Sequence, residues 1–131
     1  MAYRWVEHTA ELELELEAAT ERAVFLEALD AFAELVAEER GVDSERREVA
    51  ARGDDRASLL AAWLDELVFL AETEGFVPVR VSELELDDGV VRATVRGHVG
   101  EPRQLVKAVT WHRLGFAPDG DEWRARVVLD V

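Results

Sequence analysis

The chain has 131 residues, 49% of them hydrophobic, which is enough for one domain over residues 1–131 with its own core. It has no cysteine, which excludes disulfides and thiolate metal sites, and its net charge of −14 argues against tight, direct binding of nucleic acid. No segment is apolar for long enough to span a bilayer, and the N-terminus lacks the basic-then-apolar order of a signal peptide, so we expect a cytoplasmic protein without membrane association.

The basic residues are almost all arginine. Lys107 is the only lysine, so the other 14 of the 15 basic residues are arginines. Many acids and almost no lysine suit a cytosol of very high salt, in which repulsion between carboxylates is screened. A GC-rich genome that favours arginine codons is the alternative explanation.

The N-terminal segment predicts two strands. Residues 3–7 form a short candidate strand, and His8-Thr9-Ala10 interrupts it. A clean alternation of leucine and glutamate follows, which is the period of a strand with one buried and one polar face. Periodicity alone favours a solvated acidic face for its glutamates, Glu11, Glu13, Glu15 and Glu17.

Two amphipathic helices are predicted next, on either side of a short strand at residues 47–52. Thr20 is the expected N-cap of the first helix and Gly41 its expected stop. Asp55 or Ser58 should cap the second helix, which Gly75 ends. The buried stripes are Val24, Phe25, Ala28, Leu29, Phe32, Leu35 and Val36 in the first helix and Leu59, Leu60, Trp63, Leu64, Leu67 and Leu70 in the second, with Glu27, Asp30, Glu34 and Glu38 mainly off the stripe.

The second half of the chain predicts four strands. A phase change near Ser82-Glu83 indicates a bulge, and Asp88-Gly89 is typical of a two-residue hairpin turn. We expect a loop at residues 97–104, a strand at 105–114, a turn at 116–121 and a last strand at 122–131. The predicted fold is therefore α+β, a two-layer sandwich of two amphipathic helices packed on a mostly antiparallel sheet.

The last strand is expected to hold two carboxylates close together at its end. Its apolar alternation continues to the final residue, so we expect the end of the chain to be held in the sheet. The Asp130 side chain and the terminal carboxylate of Val131 would then lie side by side, and two like charges this close repel unless a cation sits between them. No phosphate-binding loop, nucleophile elbow or paired-histidine zinc motif competes with this site. Arg124 and Arg126 on the same strand are interpreted as solvated and not as an RNA-binding stripe.

Four motifs in order resemble the archease family over essentially the whole chain. They are His8-Thr9-Ala10-Glu11, Trp63-Leu64-Asp65-Glu66-Leu67 with Glu72-Thr73-Glu74-Gly75, Val106-Lys107-Ala108-Val109-Thr110-Trp111-His112, and the ending Val128-Leu129-Asp130-Val131. The resemblance implies a cytosolic cofactor protein, not an enzyme, that activates an RtcB-type RNA ligase in tRNA splicing. It implies that the protein promotes guanylylation of the ligase's active-site histidine and its multiple turnover.

The resemblance also implies a metal site formed by Glu11, Asp130 and the terminal carboxylate of Val131. Oxygen-only, anionic ligands select hard cations, so we expect Ca²⁺, with Mg²⁺ or Mn²⁺ as alternatives. The family usually has Asp where this chain has Glu11, which is longer by roughly 1.5 Å. Flexible Ca²⁺ geometry tolerates that difference better than Mg²⁺ geometry. The small residue that often follows two places later is here Glu13.

Two further motif residues are candidates for contact with the ligase. Lys107 either contacts the ligase or its bound nucleotide, or is an ordinary exposed strand lysine. His112 either lies near the metal site or packs beside Trp111, and packing is favoured. Two other functions stay open: a small metal-dependent hydrolase using Glu11 or Asp130, and a chaperone-like adaptor without metal function.

Overall fold

The computed structural model describes residues 2–131, which form seven strands and two helices in the predicted order. The elements are β1 Ala2–His8, β2 Glu11–Ala18, α1 Glu21–Val36, β3 Glu45–Arg52, α2 Arg56–Glu74, β4 Phe76–Leu86, β5 Val90–Val99, β6 Ala108–Asp119 and β7 Glu122–Asp130.

The strands form two antiparallel sheets where one was expected. The larger has the order β1-β2-β7-β6 and the smaller the order β3-β5-β4. Helix α1 packs on β4 and β2, and α2 packs on β6 and β3, so each helix bridges both sheets. This confirms the α+β class, with one continuous apolar core between the helices and the sheets. No helix in the described part of the chain is long and apolar enough to cross a membrane.

The helix caps explain where both helices begin. The Thr20 side chain accepts a hydrogen bond from the backbone N–H of Ala23. At α2, Asp55 and Ser58 form a reciprocal capping box, so both cap candidates take part. Gly75 ends α2 in the left-handed conformation, as predicted.

The predicted end of α1 at Gly41 is wrong, because the helix ends at Val36. The backbone N–H of Arg103 donates to the carbonyl of Val36 at 2.7 Å, and the Arg103 guanidinium donates to the carbonyl of Glu34. A loop distant in sequence thus satisfies carbonyls of the last turn, so the helix needs no glycine to stop.

Strand boundaries in the second half also differ from the prediction. β5 runs to Val99, and β6 begins only at Ala108 and continues through the expected turn to Asp119. Phe116 belongs to that extension, and its ring packs on Phe25 and Trp123 with centroids 6.0 and 5.8 Å away. The packing of this half-buried aromatic keeps the segment extended, and only Gly120-Asp121 is left to turn.

Candidate functional site

One end of the larger sheet brings the predicted carboxylates together. In the β2–β7 pair, Glu11 lies directly opposite Asp130. The backbone N–H of Lys107 donates to the carbonyl of Asp130 at 2.9 Å, and the N–H of Val131 donates to the carbonyl of Ala10 at 3.2 Å. Three separate segments therefore meet at Asp130, and the last peptide group is held in the sheet.

The turn that leads into Glu11 is tight. His8 and Glu11 pair directly, which leaves Thr9 and Ala10 as the only residues between β1 and β2. Ala10 has φ 59°, in the left-handed region that residues with a Cβ rarely adopt. Its carbonyl is the acceptor for Val131, so this bond ties the turn to the end of β7.

The electrostatics of the carboxylate pair favour a cation. Glu11 and Asp130 are both half-buried, and neither forms an ion pair with any residue of the described range 2–131. Like charges directly opposite on neighbouring strands destabilise a sheet, and a bound cation would remove that repulsion. No three His, Asp or Glu side chains within residues 2–131 group as a metal site, so further ligands would have to be main-chain oxygens, the carboxylate of Val131, a partner or water.

Glu13 is not solvated, contrary to the sequence-based expectation. Only 6% of the residue is exposed. The Arg113 guanidinium lies 2.8 Å from its Oε1, in ion-pair distance although not in hydrogen-bond geometry, and the His8 Nε2 lies 3.6 Å from the same oxygen. These two basic groups make burial of the Glu13 carboxylate possible. They lie on other segments, and strand periodicity does not predict that those segments are neighbours of Glu13. His8 thus lies beside Glu13.

The rest of the acidic row is paired with arginine. Glu15 contacts Arg4 on β1 at 2.6 Å, and Glu17 contacts Arg124 on β7 at 3.4 Å. Both carboxylates are half-buried, so the solvated interpretation holds only in part. These pairs leave Glu11 as the member of the row without a cationic partner among the described side chains.

Lys107 and His112 are both exposed. Lys107 lies in the loop before β6, not in a strand, and its backbone N–H contacts Asp130. His112 lies in a bulge of β6 and its backbone N–H donates to the Thr110 hydroxyl at 3.2 Å. Trp111, the residue before it, is 66% exposed.

Fold and site together define a small α+β protein whose larger sheet ends in the Glu11–Asp130 carboxylate pair, which forms no ion pair within residues 2–131. The model of the archease protein family matches residues 3–131. A "Protein archease" of Pyrobaculum neutrophilum is 32% identical over 98% of this chain and 95% of its own length, and one of Methanopyrus kandleri is 32% identical over the full length of both. The chain therefore belongs to the archease family.

Solved structures agree with this assignment. The solution structure of Methanobacterium thermoautotrophicum protein 1598 has a TM-score of 0.81 and 29% identity, covering 98% of each chain. The crystal structure of a Thermotoga maritima archease, described as a possible chaperone, has a TM-score of 0.71 at 22% identity and covers 96% of this chain and 94% of its own. The second likeness shows a shared fold.

Proposed function

We propose that this archease is a non-enzymatic cofactor that activates an RtcB-type RNA ligase in the cytoplasm, in tRNA splicing. Its role would be to promote guanylylation of the ligase and to let the ligase turn over repeatedly. Family membership supports this role in general terms, and the carboxylate pair at the end of the larger sheet supports a specific means of action.

The observation that carries the proposal is the direct pairing of Glu11 with Asp130, neither of which forms an ion pair with a side chain in residues 2–131. Such a pair fits a hard divalent cation, Ca²⁺ first and Mg²⁺ or Mn²⁺ as alternatives. In a chain that ends at Val131, the main-chain carboxylate adds a third anionic ligand. When bound, the cation would supply positive charge to phosphate oxygens of a nucleotide on the ligase.

The residues of the site would have different roles. Glu11 and Asp130 would hold the cation, and the bonds from Lys107 and Val131 to the neighbouring backbone would keep both carboxylates in register. Lys107 and His112 are exposed on the segment that leads away from this end, where they would contact the ligase.

The decisive experiment is multiple-turnover RNA ligation by the RtcB-type ligase of the same source, in high salt, with substoichiometric archease. We expect wild-type protein to stimulate ligation and Asp130→Asn to abolish the stimulation. Glu122→Gln is the matched control, because Glu122 is an exposed acid at the opposite end of the same strand. Full stimulation by Asp130→Asn would refute the functional metal site, and no stimulation by folded wild-type protein would refute the cofactor role.

Calcium binding tests the site apart from ligation. Calorimetric titration of chelator-treated protein should show a site that Glu11→Gln and Asp130→Asn each weaken by at least about tenfold, with Glu122→Gln unchanged. Stimulation of the ligase without any bound cation would favour the adaptor function. Turnover of a substrate by the isolated protein would favour the hydrolase.

A further inference from the structure

A bulge in β6 presents an exposed tryptophan. β6 and β7 pair at Thr110 opposite Val128 and again at Gly115 opposite Arg126, so four residues of β6 lie opposite the single residue Val127 of β7. The four are Trp111, His112, Arg113 and Leu114. At 66% exposure, Trp111 is the most exposed large hydrophobic residue of the described chain. A bulge of this kind redirects side chains away from the sheet.

The bulge is built into the fold. Arg113 has φ 55°, a conformation that a long side chain adopts only when surrounding contacts impose it. The buried Glu13 lies 2.8 Å from its guanidinium, and the next residue, Leu114, packs against the core. Trp111 therefore lies between Thr110, which pairs with Val128, and the anchored Arg113, so its exposure does not arise from a free loop.

Trp111 borders a groove of about 430 Å³ between β6 and α2. Val109, Ala61 and Ala62 line its apolar part, and Asp54 and Asp65 stand on its rim. Both aspartates are exposed and form no ion pair within residues 2–131. Arg52, also at the rim, is the single cationic residue of the lining.

We propose that this groove docks a basic segment of the RNA ligase, with an arginine of that segment stacked on Trp111 and neutralised by Asp54 or Asp65. An aromatic face beside carboxylates suits a guanidinium, which stacks on indole and hydrogen-bonds to carboxylate at once. The net charge of −14 favours encounter with a basic surface.

The groove lies close to the carboxylate site. Ala108 pairs with Asp130, and Trp111 follows three residues later, about 10 Å along the strand. A partner seated on Trp111 would therefore have the carboxylate end within reach. The inference rests on the proposed function, because it assigns to the ligase a docking point separate from the metal ligands.

The test measures the affinity of the ligase for archease variants by calorimetry, in parallel with ligation. Trp111→Ala should weaken binding by at least about tenfold, as expected for a buried aromatic anchor, and Trp111→Tyr should restore most of the affinity. Phe69→Ala is the matched control, because Phe69 is an exposed aromatic on α2 that does not line the groove. Asp65→Lys should weaken binding, and Glu66→Lys, its exposed neighbour outside the groove, should have much less effect.

A site-specific signal separates docking from misfolding. With 5-fluorotryptophan incorporated, the fluorine resonance of Trp111 is identified by its loss in Trp111→Tyr, and it should shift when unlabelled ligase is added. The resonance of the buried Trp63 should stay in place.

The outcomes distinguish the two proposals. If wild-type protein binds and stimulates the ligase while Trp111→Ala matches Phe69→Ala, or if the Trp111 resonance does not respond in the complex, the docking groove is overturned and the cofactor role stands. If folded wild-type protein neither binds nor stimulates the ligase, the cofactor role is overturned and the groove assignment with it.

Discussion

Glu27 on α1 is buried although the helical pattern placed it off the apolar stripe, and 7% of the residue is exposed. Burial raises the pKa of its carboxyl, and the nearby Asp30 raises it further. A raised pKa in the folded state means that the charged form destabilises the fold. Stability is therefore lost as the pH rises above the unfolded-state value of about 4.3.

Glu27→Gln should accordingly raise the melting temperature at pH 7, because it removes the buried charge and keeps the shape. The gain should shrink as the pH falls towards the unfolded-state pKa, because Glu27 then becomes protonated in the unfolded chain as well. Thermal unfolding of both proteins from pH 4 to 8 measures this, and a variant less stable than wild type at pH 7 would show that the carboxylate has a stabilising partner.

Arg113 combines backbone strain with an ion pair, and two substitutions separate the effects of the strain and of the ion pair on stability. Arg113→Ala leaves the buried Glu13 without its nearest cation and should destabilise the fold by about 1–3 kcal/mol. Arg113→Gly loses the same ion pair but relieves the left-handed strain, so it should be less destabilising than alanine by about 1 kcal/mol. Urea unfolding compares the two, and equal losses would show that the strain at φ 55° contributes nothing.

At the scale of elements, β4 and β5 approach each other closely at Gly97. A Cβ built there would lie 2.1 Å from the carbonyl oxygen of Val77 and 2.9 Å from the Phe76 ring. Because a backbone carbonyl cannot move aside as a flexible side chain can, the strands would have to separate. This contact explains why β5 continues through a glycine where the sequence predicts a loop.

Gly97→Ala should destabilise the protein by about 1–3 kcal/mol through overpacking. Gly115→Ala is the control, since nothing lies within 4 Å of a Cβ at that position of β6, and it should be neutral or slightly stabilising. Urea unfolding measures both variants. Equal stability of the two variants would mean that β4 and β5 can move apart at Gly97 at little energetic cost.

The elements also show how far sequence reasoning extends. Local chemistry predicted the order of all nine elements, the caps at Thr20 and Asp55 and the hairpin at Asp88-Gly89. The missed features depend on contacts between distant residues: Arg103 ending α1, Val77 against Gly97, and Arg113 pairing with Glu13. The pairing of Glu11 with Asp130 followed from family resemblance, because strand periodicity does not specify which strands are neighbours.

At the scale of the whole molecule, the chain contains 29 acidic and 15 basic residues. Several arginines join separate elements through ion pairs, such as Arg47 with Glu74 at 2.8 Å and Arg56 with Glu21 at 3.1 Å. Salt screens these attractions and the repulsion among the acids alike. Since the acids outnumber the bases by 14, repulsion is the larger effect, and its screening should dominate.

Stability should therefore increase with salt. Between 0.05 and 2 M KCl the Debye length falls from more than 10 Å to less than about 3 Å, so the melting temperature should rise by several degrees at pH 7. Near pH 4, where carboxylates begin to protonate, the same salt series should give a smaller rise because fewer like charges remain to be screened. Equal stability throughout the series at pH 7 would mean that the fold tolerates its charge without salt, and the scarcity of lysine would then follow from codon usage instead of from a saline cytosol.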